Sequence, residues 1–365
     1  MAGGVVAPAV WVTADSLRRY GEEAFRRVGL PEEGAALVTG VQLEASLRGQ
    51  PTHNMGGVPG YANRVSKGLL NPHPAIRVEG ESAVHARLDG DNGPGQWVGV
   101  VAMRKAIEKA RAGGVGMVTA RRSNHYGAAG HYAWLGAREG LIGISTTNGG
   151  PCLAPYGGAT PTLGNDPLGV GVPAGAYPPL LLDIAMSVAA MGKIGLAMAE
   201  GKPLPEGWVL DKEGRPSTSA EDFRESFLGA PIGAPAVGYK GTGLSMIMEV
   251  LAGVLSGASF PWQHRDDRRS RREYEPDLGH FFMAIDPALF MPLETFTARV
   301  DAMIEATKAG ERMEGVEEIL VPGEMEMRAR EKHLREGVPL LPSTLRSLEE
   351  YRRQAGLESE LVTVG

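Results

Sequence analysis

The chain reads as an α/β protein with helical ends. Between about residues 75 and 257, short apolar runs alternate with stretches of helical periodicity, whereas both flanks are mainly helical in pattern. The 51 glycines and 26 prolines in 365 residues also demand many tight turns.

In order, a first helix is expected through Leu17, Tyr20, Ala24 and Val28, with Asp15 or Ser16 as its cap. Leu30-Pro31-Glu32-Glu33 restarts the chain, with Pro and acid in a first helical turn. Leu37, Val41, Ala45 and Leu47 carry that second helix, and Gly49-Gln50-Pro51 ends it. Gly56, Gly57, Pro59 and Gly60 make the next stretch irregular. Strands are expected at 116–120, 141–146, 180–184 and 279–286. Helices are expected at 96–112, 128–138, 186–200, 241–256, 293–308, 323–336 and 343–354. Residues 265–277 mix charges of both signs and read as a solvated loop.

Composition narrows the function classes. Hydrophobic residues at 43% and charged residues at 22% suit a globular chain large enough for two lobes. A net charge of −6 disfavours a nucleic-acid surface. The one cysteine, Cys152, excludes an internal disulfide and fits a reducing cytoplasm. The stretch from Met1 to Val12 has no basic segment of a secretory signal, and no apolar run reaches membrane-spanning length. His125 and His131 are six apart, off a common helix face, and no zinc or thiol-pair spacing occurs, so no metal is expected.

A Rossmann nucleotide site needs a glycine-rich turn between strand and helix. The nearest string is Gly169-Val-Gly171-Val-Pro-Ala174. Pro173 removes a backbone donor and no helical pattern follows, so the match reads as chance.

Longer strings carry more. They are Ser123-Asn124-His125-Tyr126-Gly127; Pro155-Tyr156-Gly157-Gly158; Asp183-Ile184-Ala185-Met186-Ser187; Gly238-Tyr239-Lys240-Gly241-Thr242-Gly243-Leu244; Gly279-His280-Phe281-Phe282; and Val321-Pro322-Gly323-Glu324. Their order and spacing resemble the malate/L-lactate dehydrogenase family, the group distinct from the Rossmann enzymes that includes ureidoglycolate and sulfolactate dehydrogenases and cyclic-imine carboxylate reductases. The resemblance implies a homodimer acting on a small molecule with NAD or NADP. It also implies a cofactor lobe on a mainly antiparallel sheet, and a helical lobe built from both chain ends. Residues 1–75 would belong to the dimer and substrate lobe and 76–274 to the cofactor lobe. Residues 275–365 would supply a return strand and helices packing with the N-terminal part.

Hydride transfer needs a proton donor or acceptor and a substrate held against the nicotinamide. Arg48-Gly49-Gln50-Pro51-Thr52-His53 resembles the family's R-G-x-x-S-H segment, with Thr52 in place of serine. His53 is therefore the expected acid/base and Thr52 its relay; the competing reading is a loop histidine that caps backbone. His125 is the second candidate, as acid/base or cofactor contact, against a structural corner histidine. Tyr126, Gly127, Asp183, Ile184, Ala185 and Lys240 are implied cofactor contacts. Lys240, at a helix start among glycines, suits phosphate, although such a lysine can simply be solvated. Asp183 can equally cap the helix after it.

Departures gather on the substrate side. Gly57 stands where the family has a carboxylate-gripping arginine, and Asn54 where it has glycine. Its G-T-N-P becomes Gly164-Asn165-Asp166-Pro167, which trades an amide for an acid. If Gly57 and Asp166 both face the pocket, it is about two charges more negative and suits an amine, iminium or neutral carbonyl better than a carboxylate. Arg64, Arg121 or Arg122 could supply a replacement cation. Three readings stay open: a hydroxy-acid dehydrogenase with a relocated anchor, an imine or ketone reductase, and a catalytically silent nucleotide-binding homologue.

Overall fold

The computed structural model describes residues 9–199, 201–261, 263 and 277–364. In chain order it begins with β1 (Val10–Val12), α1 (Ala14–Arg27), α2 (Glu32–Leu47), α3 (Val58–Ser66), β2 (Arg77–Glu81), β3 (His85–Asp89) and α4 (Gly95–Gly113). Then come β4 (Val115–Ser123), α5 (Ala129–Arg138), β5 (Ile142–Thr147), β6 (Leu168–Val172), β7 (Leu180–Ile184), α6 (Met191–Ala199), β8 (Val209–Leu210) and β9 (Pro216–Ser217). The rest are α7 (Ala220–Ser226), β10 (Leu228–Gly229), α8 (Gly238–Glu249), β11 (Leu278–Ile285), α9 (Leu293–Lys308), α10 (Glu324–Glu336), β12 (Val338–Leu340) and α11 (Pro342–Ala355). A 3-10 turn at Met55–Gly57 precedes α3, and a π-helical turn at Val250–Val254 extends α8.

The chain forms two compact units, one of Met1–Pro74 with Ile304–Gly365 and one of Ala75–Met303. In the terminal unit, β1 pairs antiparallel with β12 and so joins the two chain ends. Thr13, rather than Asp15 or Ser16, caps α1, accepting from the Ser16 N–H at 3.3 Å. The α1 face of Leu17, Tyr20, Ala24 and Phe25 is buried, and the Tyr20 hydroxyl donates to Leu348 O of α11 at 2.9 Å. The Gly/Pro-rich stretch expected to be irregular folds as α3, because Pro59 sits in its first turn, where no N–H is needed.

In the sheet unit, the largest sheet among the described residues has the order β2-β3-β4-β11-β5-β6-β7, with β3–β4 its one parallel pairing. The string Gly169-Val-Gly171 is strand β6. A side chain at Gly169 or Gly171 would come within 2.6 Å of Ala129 O or 2.5 Å of Ala133 O, so these glycines let α5 lie directly on the sheet. β11 is an interior strand between β4 and β5. It therefore belongs to the sheet unit, and the chain passes to the terminal unit only within α9. Asp301 of α9 accepts from the N–H groups of Gly175 and Ala176 at the β6–β7 turn (3.0 and 2.7 Å).

α6 starts at Met191 instead of 186 because 186–188 run extended: Ile232 N–H donates to Met186 O, and Val188 N–H to Ala230 O, both at 2.9 Å. Of the expected charged loop at 265–277, all but Asp277 lies outside the described residues, as does residue 200 of the helix expected there.

Candidate active site

In the terminal unit the end of α2 is clamped by α10. Arg330 bonds both carboxylate oxygens of Glu44 at 2.9 and 3.0 Å, and the His333 ring meets Leu47 O at 2.7 Å. Arg48, 3% exposed, lies 3.5 Å from Glu44. Beyond the loop, the Met55 N–H donates to Ser46 Oγ at 2.9 Å and the Met55 side chain is fully buried. Between these anchors Thr52 and His53 are half-buried, with Thr52 Oγ1 3.0 Å from His53 Nδ1. His53 has φ +64°, a left-handed conformation uncommon for a residue with a Cβ.

Asn54 has structural employment. Its Oδ1 accepts from Gly56 N–H at 3.0 Å and its Nδ2 donates to Gln50 O at 2.8 Å, which caps the 3-10 turn. At Gly57 a Cβ would meet the Tyr61 ring at 3.2 Å and Gln42 Oε1 at 3.3 Å. Tyr61 and Gln42 thus border the place where the family carries arginine.

In the sheet unit, β4 runs out into Ser123–Gly127. Asn124 Nδ2 donates to Gly93 O (3.0 Å) and to Asn92 Oδ1 (2.9 Å). Gly95 admits this segment: any Cβ there would overlap the Asn124 carbonyl. His125 is exposed, with Nδ1 3.4 Å from the Gly127 N–H. Tyr126 points the other way. Its ring is fully buried between Tyr132 (4.6 Å) and His280 (4.8 Å), so a cofactor contact through the phenol is ruled out. Burial, then the nearby Asp183 charge, pushes the Tyr126 phenol well above its usual value. His280 is equally internal. Its two nitrogens meet Thr147 and Ser123 hydroxyls at 2.7 Å each, and burial lowers its pKa to about 3, so it is a neutral core histidine.

Asp183 pairs in register with Gly169 near the end of β7. A Cβ on Gly130 would come within 2.8 Å of both the Cβ and Oδ2 of Asp183, which places this carboxylate against the first turn of α5. His125, Gly127 and Asp183 therefore converge on the start of α5. Ile184 and Ala185 lead to Met186, whose N–H donates to Asn165 O and whose O accepts from Ile232 N–H, both at 2.9 Å. The Ile232 backbone abuts Gly241 in the first turn of α8. The exit of β7 and the start of α8 are thereby neighbours. α8 begins without a side-chain cap and carries exposed Lys240 in its first turn, a donor set that fits an anionic dinucleotide.

Asn165 is half-buried at this junction, accepting from Ser187 Oγ at 2.6 Å. Asp166 does not face a pocket. It is fully buried, accepts from Ser245 Oγ at 2.9 Å, and lies within hydrogen-bond reach of Glu249. Burial, then that second carboxyl, pushes its pKa well above its usual value. The reading of a pocket two charges more negative fails at this residue. Arg121 and Arg122 are committed elsewhere: Arg121 to Glu79 through two bonds (3.1 and 2.6 Å), Arg122 to Asp89 and Asp91. Glu249 and Gln42 went unnoticed in the sequence, although an acid inside the apolar run Met246–Val254 is a signal for a buried polar partner. Among the described residues no group of three His, Cys, Asp or Glu side chains is placed to hold a metal, and no helix is long and apolar enough to cross a membrane.

Residues 12–349 match the family model described as malate/L-lactate dehydrogenase. The malate dehydrogenase of Pyrococcus horikoshii is 38% identical over 95% of this chain and 96% of its own length; its solved structure superposes with a TM-score of 0.89, covering 98% and 99% of the two chains. An L-sulfolactate dehydrogenase of Methanocaldococcus jannaschii is 36% identical over 93% and 95% of the two chains. The structure of malate dehydrogenase from Entamoeba histolytica superposes with a TM-score of 0.91 at 30% identity, covering 96% and 99%. The chain belongs to the malate/L-lactate dehydrogenase family of nicotinamide-dependent oxidoreductases.

Proposed function

We propose that this protein transfers a hydride between the nicotinamide of NAD(H) or NADP(H) and a small 2-hydroxy acid, its 2-oxo form, or a related C=N compound. The carrying observation is the convergence of the His125 segment and Asp183 on the start of α5, next to the uncapped start of α8 with Lys240. Lys240 and the α8 amides suit the cofactor phosphates; Asp183 suits a hydroxyl or carboxamide donor. His125 and the Gly127 backbone would flank the bound cofactor, with Ile184 and Ala185 beside them. The bound nicotinamide supplies or accepts the hydride at its C4.

His53 exchanges the accompanying proton with the substrate heteroatom. Thr52 Oγ1, 3.0 Å from Nδ1, orients the ring for that exchange. The left-handed backbone at His53 supports this assignment, since such strain persists where the surroundings impose it. Fluorescence titration with NADH and NADPH, followed by turnover on oxo acids, imines and neutral ketones, tests the reading. His53→Ala should cost about 100-fold or more in kcat while the NADH affinity stays within twofold. Nucleotide binding with no turnover on any of these substrates would instead identify a silent homologue.

One observation favours the imine or ketone reading. Without an arginine at 57, and with Tyr61 and Gln42 bordering that position, this side of the site selects a neutral or cationic group over a carboxylate. Gly57→Arg combined with Tyr61→Ala should then raise kcat/KM for a generic 2-oxo acid; no gain would count against it.

We also propose that the protein is a homodimer. Along α8 and the π-turn, Leu244, Ile247, Val250, Val254 and Leu255 are 44–57% exposed, an apolar surface that a second copy would cover.

A further inference from the structure

The buried acids Asp166 and Glu249 are used by nothing in the reading above. Each has one oxygen supplied with a donor: Ser245 Oγ donates to Asp166 Oδ2, and Asn148 Nδ2 to Glu249 Oε1, both at 2.9 Å. Each has one buried oxygen, Asp166 Oδ1 and Glu249 Oε2, for which no hydrogen-bond partner is found among the described residues. Asp166 is 0% and Glu249 7% exposed. Two buried carboxylates within hydrogen-bond reach of each other repel when both are charged, and one proton between them satisfies both.

We propose that Asp166 and Glu249 share a single proton, and that this hydrogen bond makes Asp166 a positioning residue that ties α8 to the 164–167 loop. The tie has consequences at the site. Asn165, next in the chain, holds Met186 N–H and Ser187 Oγ just beyond Asp183. Ser245 and Glu249 lie one to three turns along α8 from Lys240. The bond therefore locks together the two segments assigned to the cofactor, and this functional part rests on the proposed function.

Among the described residues named around the pair, none is placed to supply a proton. Asn148 is saturated, since it also accepts from Gly279 N–H at 2.9 Å and donates to Ser259 O at 2.7 Å. His280 on β11 is neutral and held by Thr147 and Ser123. Asp277, beside Ser259, accepts from the N–H of Arg122 and of Ser259 and offers no donor. Lys240, the cation of α8, is exposed at the far end of the helix. Consistently, burial raises both acids, Glu249 to about 7.

The direction follows. The unfolded chain releases both protons near pH 4, whereas the folded chain keeps one up to about pH 7 or beyond. Stability contributed by the pair is thus complete below pH 4 and lost as pH rises, with the folding constant falling up to about tenfold per unit in that window. An amide at 166 carries its own donor to Glu249 and needs no proton.

The test compares Asp166→Asn with wild type from pH 5 to 9 in three readouts: thermal midpoint, the infrared carbonyl band of a protonated carboxylic acid, and NADH affinity. We expect the wild type to lose stability relative to Asp166→Asn as pH rises. It should also show an acid carbonyl band at pH 6 that the variant lacks. NADH affinity should weaken at least fivefold between pH 6 and 9 in the wild type and less than twofold in the variant. Parallel stability profiles, or no acid band in the wild type, would overturn proton sharing. So would a wild-type midpoint set by the identity of the monovalent salt, since a cation would then hold the pair. Proton sharing with equal pH dependence of NADH affinity in both proteins would overturn the positioning role. If the wild type binds no NADH at any pH, the proposed function fails while the first two readouts still decide the proton. Glu249→Gln provides the same comparison from the other side of the bond.

Discussion

Gly130→Ala separates the packing of α5 from the chemistry assigned to Asp183. The new methyl would lie 2.8 Å from both the Cβ and Oδ2 of Asp183, against an ordinary carbon contact of about 3.5–4.0 Å, so about 1 Å of movement is required. α5 cannot retreat further onto the sheet, because Ala129 O and Ala133 O already lie over Gly169 and Gly171. β7 is the last strand of its sheet, so Asp183 gives way. Overpacking costs about 1–3 kcal/mol, offset by up to ~1 kcal/mol from the better helix propensity of alanine. The net is about 0–3 kcal/mol, or up to a few degrees in Tm. On the proposed function, displacing Asp183 by this much removes one charge-assisted hydrogen bond to the cofactor, about 1.5–3 kcal/mol, or at least tenfold in NADH affinity. Urea unfolding and fluorescence titration measure the two effects separately. Reduced stability with unchanged NADH affinity would remove Asp183 from the nucleotide site; no change in either would refute the packing argument.

Gly40→Ala is the contrasting case: no atom lies within 4 Å of the new Cβ inside α2, so stability should rise by about 0.5–1 kcal/mol, and a loss in chemical denaturation would contradict this. His280 is held neutral with a pKa of about 3, so the unfolded chain binds the extra proton between about pH 3 and 6.5. Its contribution is present above pH 6.5 and lost on acidification, by up to about 1.4 kcal/mol per unit, and His280→Gln should flatten the acid limb of a stability–pH profile. On the proposed homodimer, Ile247→Glu, on the exposed apolar surface of α8, should shift the mass in light scattering from dimer to monomer; a monomeric wild type would contradict the proposal.

Much of the framework was legible because it follows simple periodicity. The apolar faces of α1, α4, α5 and α11 and the run at β11 announce themselves over three or more turns or a full strand. What escaped had a physical reason in each case. β2 (Arg77–Glu81) is an edge strand of mostly exposed, charged residues and lacks the alternation of a half-buried strand. β6 escaped because its glycines, there for contact with α5 rather than for turning, carry no strand pattern. α3 was hidden by Pro59, a helix breaker in general but harmless in a first turn.

At the site, linear motifs identified which segments matter but not which way side chains point. Tyr126 and His280 lie in motif strings next to plausible ligand positions, yet both are packed inside. Asp166 looked like a substrate-side charge until its partner, Glu249, was seen 83 positions away in the chain. A one-dimensional reading recognises an acid; it takes the fold to reveal whether that acid is charged.

Hydride transfer itself is most directly measured with isotope. Mixing the protein with NADH deuterated at the transferring C4 position and a panel of 2-oxo acids, imines and ketones, then weighing the products by mass spectrometry, should return a reduced product carrying one deuterium. His53→Ala should yield it at least about 100-fold more slowly. Bound NADH with no deuterated product from any substrate would contradict the account.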